Sequence, residues 1–262
     1  MYKIPAVLMG AFCLILSVTV PVSFAAPLKE GVTFVWQGEI NGKIPISLWL
    51  EAKNDLIAGE IIYTKTGSNK PIRLLGTMEE DNTLLLYEML PDGTISGRIQ
   101  GRVEGNAFTG KWSAPDKVTE KKNGSYATKE GKTYSISLSE TSTKPGSYLW
   151  EMKQQNGIGT YRYSCGNYQG SGEAIIYSFG GGKAEIGINT TIGAPSFNMA
   201  DMDKTQVTVQ GNTITHELAD DCAFTAQIYN DFLMIKHDRE KSCQGYFGRN
   251  ADLAGIYLKQ TK

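Results

Sequence analysis

The chain has two histidines, and each stands beside carboxylates: His216-Glu217 with Asp220 and Asp221 close behind, and His237 followed by Asp238. An imidazole near a carboxylate is raw material for acid–base chemistry or for a metal site. The spacing delivers neither. His-Glu-Leu-Ala-Asp-Asp lacks the second histidine of a helical zinc site, and it falls at the end of an expected strand. Adjacent strand residues point to opposite faces, so His237 and Asp238 make no pair by spacing. A hydrolase or metal-dependent enzyme using His216 or His237 with nearby carboxylates would need the fold to gather them. Gly170-Ser171-Gly172 is the nearest approach to a nucleophile elbow and reads as turn material. The stretch 198–203 offers oxygen ligands but lacks the glycine and distant glutamate of a calcium loop, so it reads as a polar connection. No catalytic residue, metal ligand or cofactor is assigned.

Recognition is the chemistry left. Tyr161, Tyr163, Tyr168 and Tyr177 cluster around a Gly166–Gly172 loop, and Lys183 follows the triple glycine 180–182. Tyrosine presents an apolar body with a polar tip, and lysine a point charge, so Tyr168 and Lys183 are the candidate binding residues for a protein cleft or a sugar. Tyrosines are also what strands ordinarily contain.

These residues must be positioned by short strands. Of 262 residues 41% are hydrophobic, and 29 glycines, 13 tyrosines and 9 phenylalanines suit turn-rich sheets. A formal charge of -1 gives no whole-molecule field to attract nucleic acid or an anionic membrane. After a short basic start, an apolar run over 4–20 ends in Pro21-Val22-Ser23-Phe24-Ala25-Ala26. Small residues at 23 and 25 predict a secretion signal cut after Ala25, and no other stretch is apolar enough to span a membrane. The expected location is the periplasm or the extracellular space.

Past the leader, Ile44, Ile46, Leu48 and Leu50 fall at every second position, on one face of an expected half-buried strand, after the hairpin signal Asn41-Gly42. Further runs are expected at 57–64, 71–78, 83–90, 94–103 and 107–112, with Gly97, Gly101 and Gly105 on one face as a bending device. Residues 114–132 lose the alternation and read as a polar, lysine-rich loop. A second series follows from about 148, including 222–229 and 232–237 around the turn Asn230-Asp231. The prediction is all-β: a signal peptide at 1–25, then two antiparallel β-meander domains, barrel- or sandwich-like, at 26–141 and 142–262.

Export implies an oxidising compartment. Without Cys13 of the leader, Cys165, Cys222 and Cys243 allow three single bridges; Cys222–Cys243 is favoured because the two flank one expected hairpin.

The stretch from Cys222 to Lys259 closes with Cys243-Gln244-Gly245-Tyr246-Phe247-Gly248 and then Gly255-Ile256-Tyr257-Leu258-Lys259. It resembles the end of small secreted bacterial β-domains, including some grouped with periplasmic lysozyme inhibitors. The likeness covers ~40 residues, and the chain carries no Ser-Gly-x-x-Tyr element of the kind better-defined inhibitors use. It implies a barrel-like domain stapled by Cys222–Cys243 and a non-enzymatic role. The expectation is an exported binding protein, inhibitor-like or engaging a protein or envelope ligand; a surface or assembly component is the other non-enzymatic reading.

Overall fold

Alternating apolar residues oblige each strand to hide one side, and a meander can hide all of them by closing on itself. The chain does this twice. The computed structural model describes residues 28–65, 70–79, 81–146, 157–243 and 245–261. The expected leader and the strand expected at 148–153 lie outside them.

The first barrel runs β1 (Val32–Ile40), β2 (Ile44–Lys53), β3 (Leu56–Tyr63), β4 (Ile72–Met78), β5 (Thr83–Met89), β6 (Ile95–Glu104), β7 (Ala107–Ser113) and β10 (Thr133–Pro145). Its last strand pairs with its first and closes the sheet. Ile46, Leu48, Leu50 and Ala52, at every second position of β2, point into a core shared with Trp36, Ile99 and Phe108. Strand β10 pairs with β1 as far as Pro145, so this barrel includes residues 142–145.

The stretch expected as a polar loop at 114–132 instead holds a two-stranded hairpin, β8 (Lys117–Glu120) and β9 (Tyr126–Lys129). Its alternation is hard to see because Val118 and Tyr126 are the only large apolar side chains on it.

The second barrel is an uninterrupted meander of β11 (Gly159–Ser164), β12 (Gln169–Gly180), β13 (Lys183–Gly193), β14 (Met199–Gln210), β15 (Thr213–Ala219), β16 (Cys222–Ile228), β17 (Phe232–Ser242) and β18 (Gly255–Lys259). The supposed polar connection at 198–203 lies largely in β14, where Ala200 and Met202 enter the core while Asp201 and Asp203 face outward. Cys222 and Cys243 are joined, S–S 2.07 Å. The disulfide ties β16 to the 243–254 segment, whose Ala251 and Leu253 are buried in the barrel core.

Several strands are covered on both sides, because the barrels pack outer face to outer face. Leu56, Ala58, Leu75 and Met89 of the first meet Phe232, Met234 and Leu258 of the second in a third buried cluster. Each leucine, methionine or phenylalanine among them contributes about 1.5–3 kcal/mol of burial. Arg73–Asp231 at 2.9 Å and Lys236–Asp55 at 2.5 Å cross the same seam. The Lys236–Asp55 pair is well exposed and worth at most about 1 kcal/mol, whereas Arg73 is largely buried and its pair reinforces the apolar contact. The backbones also touch: Ser164 N–H donates to the Gly93 carbonyl at 3.0 Å. Gly93 has φ +82, and a Cβ there would stand 2.5 Å from the Arg162 carbonyl oxygen, so no larger residue fits.

Candidate binding surface

The four strand connections at one end of the second barrel are 165–168, 194–198, 220–221 and 243–254. Five of the eight large exposed hydrophobic residues among those described gather there: Tyr168, Ile192, Phe197, Met199 and Tyr246. The β8–β9 hairpin of the first barrel reaches this rim. Tyr126 lies 5.4 Å from Tyr168 and 5.5 Å from Phe197, ring centroid to ring centroid, at interplanar angles of 55° and 70°. Gln169 Nε2 donates to the Asp116 carbonyl at 2.7 Å and fixes the base of the hairpin against the second barrel.

Two of these aromatic residues are held in an uncommon backbone conformation. Tyr168 has φ 60 and Phe197 φ 49, the left-handed region that bulky residues avoid at a cost of about 1–2 kcal/mol each. Their neighbours over-determine the geometry. Ala194 N–H donates to the Tyr168 carbonyl at 2.8 Å, Phe197 N–H to the Gly193 carbonyl at 2.8 Å, and Cys165 N–H to the Gly170 carbonyl at 2.8 Å. Strained residues whose side chains point to solvent, 41% and 39% exposed, are poorly explained by packing. Beside Tyr168 lies a shallow hollow of about 510 Å³, walled by the hairpin on one side and Asn167 and Tyr168 on the other.

Of the two binding residues read from the sequence, Tyr168 sits in this surface and Lys183 does not. Tyr168 adjoins the first residue of β12, whereas Lys183 pairs with Gly180 at that strand's far end. Tyr126, within the lysine-rich run, and Phe197, just before the stretch 198–203 read as a connection, carry no signal that singles them out in the sequence.

The histidines are placed elsewhere. His216 and His237 both pair with Phe224, one on each neighbouring strand, so the phenyl ring stands between them. His216 meets that ring at 5.8 Å, and burial lowers its pKa. His237 Nε2 is 3.9 Å from Asp252 Oδ1, too long for a hydrogen bond, and neither of its ring nitrogens has a hydrogen-bond partner among the described residues. Among the described residues no three His, Cys, Asp or Glu side chains gather as a metal site.

Two carboxylates of the first barrel are buried, Glu51, which accepts from the Thr33 hydroxyl, and Glu88, which holds a wider network. Glu88, 2% exposed, accepts from Tyr63 Oη at 2.5 Å and Trp112 Nε1 at 2.8 Å, with Ser96 Oγ at 3.4 Å. Burial pushes its pKa up, against the pull of those three donors. A Cβ at Gly97 would fall 2.6 Å from both Glu88 Oε2 and Trp112 Nε1, so the glycine makes room for the network. With its donors all internal, this group knits the barrel end together.

Grooves of about 340 and 360 Å³ flank the contact between the barrels and share Tyr87, Ile95 and Cys165. Convex faces that touch along a line leave such wedges. Cys165 is free and partly buried, and burial raises its pKa, which keeps the thiol protonated and unreactive at neutral pH.

The fold and the surface together define a class, a pair of fused eight-stranded meander barrels with an aromatic rim to which both contribute. No protein-family model, curated protein or solved structure matches the chain.

Proposed function

We propose that the chain is an exported, non-enzymatic binding protein that engages a macromolecular ligand of the cell envelope through the rim formed by Tyr126, Tyr168 and Phe197. The observation that carries this reading is the pair of exposed aromatic residues held at positive φ and brought together by a tyrosine from the other barrel. Strain retained at solvent-facing side chains points to work done by the side chains. The apolar leader over 4–20 and the Cys222–Cys243 bridge support a periplasmic or secreted location. The inhibitor-like character implied by the C-terminal resemblance agrees with a rim of loops at the end of a stapled barrel. The enzymatic alternative draws no support from His216 and His237, which Phe224 separates.

The test is capture from an envelope extract with the immobilised processed chain and with a Tyr168→Gly/Phe197→Gly variant. Glycine suits both backbone positions, so the variant deletes the rings while relieving strain. The expected result is a defined macromolecule retained by the native chain and lost by the variant. Retention of nothing specific, or equal retention by both, would overturn the reading.

A further inference from the structure

The hollow beside Tyr168 has a composition that names a ligand. The geometry points to an acidic saccharide polymer, a chain of pyranose units bearing carboxylates, as the occupant of this hollow; the inference rests on the binding role proposed above and specifies its ligand class.

Tyr168 forms one wall of the hollow while Tyr126 packs against its ring at 5.4 Å, so the ring is pinned before any ligand arrives. A rigid, exposed aromatic ring offers a flat apolar face at low entropic cost. The C–H face of a pyranose matches it through many individually weak contacts. Lining the same hollow are groups suited to the hydroxyl edge of a sugar: Thr119, Asn167 and Glu120. Their hydroxyl, amide and carboxylate donate to or accept from neutral O–H groups. Lys121 and Lys122 complete the rim and supply charge for a carboxylate.

The wider field has the same sign. Residues 117–129 carry Lys117, Lys121, Lys122 and Lys129 against Glu120 alone, in a chain whose formal charge is -1. None of these four lysines makes an ion pair among the described residues. The acidic turn Asp220-Asp221 lies in the 220–221 connection, across the barrel mouth from 165–168, because four connections follow one another around a closed eight-stranded rim.

The register of the hairpin selects a polymer over a membrane. Lys117 pairs with Lys129, and Glu120 with Tyr126, so two lysines occupy the face opposite to that of Tyr126 while Lys121 and Lys122 lie at the turn. A flat anionic bilayer would reach only one of those faces, whereas a linear polyanion can follow the hairpin around its edge. Six of the seven residues lining this hollow carry a side-chain polar group, which suits a ligand rich in hydroxyls.

The test is titration of the processed chain with polygalacturonate, with neutral dextran and with phosphatidylglycerol vesicles as separate arms. Native protein is expected to bind polygalacturonate, more weakly as salt rises, and to ignore dextran. Tyr168→Gly, and separately Lys121→Ala/Lys122→Ala, should each weaken binding about tenfold, a loss of about 1.4 kcal/mol. Melting of Tyr168→Gly at or above the native temperature shows that the loss comes from the ring and not from unfolding. No binding to polygalacturonate, equal binding to dextran, binding untouched by both variants, or preference for vesicles would each overturn the inference. If polygalacturonate fails while the rim still captures an envelope macromolecule in a Tyr168-dependent way, the saccharide falls and the binding role stands.

Discussion

The two barrels have the same strand number and solve the problem of an open end in different ways. The first closes one end from within, by a buried carboxylate that draws together Tyr63, Trp112 and Ser96 from three strands. The second closes an end with added chain, the 243–254 segment, pinned by Cys222–Cys243 and by the Thr190 hydroxyl donating to the Asp252 carbonyl at 2.5 Å. A hydrogen-bonded network leaves no length of chain to vary, whereas a tethered plug adds a loop to the rim. That is where the exposed aromatic residues collect, and the first barrel joins them by sending out its hairpin. One barrel serves chiefly as a brace, the other as a rim.

That division can be broken in graded steps. The largest effect is expected from Phe232→Asp, which places an unpaired charge in the cluster between the barrels. A loss of about 4 kcal/mol is expected. In calorimetry a single unfolding transition should split in two as the barrels lose their shared contact. Replacing Cys222 and Cys243 together by serine removes a link spanning 21 residues, worth about 3 kcal/mol in the chain-entropy picture. Hydrogen exchange should then show β16–β18 opening while the first barrel keeps its protection.

Acidity sharpens the contrast from the other side. Glu88 holds its proton to higher pH in the folded barrel than the ordinary 4.5. Between 4.5 and the raised value the folded state binds more protons than the unfolded one. The stability tied to Glu88 is therefore full below 4.5 and is lost as pH rises through the raised value. Glu88→Gln should flatten this slope in denaturant titrations and leave the second barrel unaffected. The smallest effect is expected from Tyr168→Gly, which should raise stability by up to about 1 kcal/mol by relieving left-handed backbone, measured as a higher urea midpoint.

Much of this architecture was legible in the chain. The period-two pattern of Ile44, Ile46, Leu48 and Leu50 named the interior for its last three members, while Ile44, at the strand's start, is exposed; the flanking of one hairpin by Cys222 and Cys243 named the bridge. The contact between barrels left a trace that alternation alone does not interpret. Phe232-Leu233-Met234-Ile235 is apolar at every position because Leu233 and Ile235 face the barrel interior while Phe232 and Met234 face the other barrel. Tyr168 was visible as a tyrosine in a glycine-rich loop, and the structure exposes it. Its partners were not, since Tyr126 and Phe197 come from segments far apart in the chain that only the folded barrels bring together. Lys183 was paired with Tyr168 by nearness in sequence, and the length of β12 carries it to the opposite end.

The most direct test of a rim shared between the barrels is ligand capture by Tyr126→Ala, since that residue belongs to the first barrel and its contacts lie on the second. This variant is expected to lose the captured envelope macromolecule as Tyr168→Gly does, with its thermal unfolding unchanged. Undiminished capture by Tyr126→Ala would show that the second barrel binds alone and would contradict a shared rim.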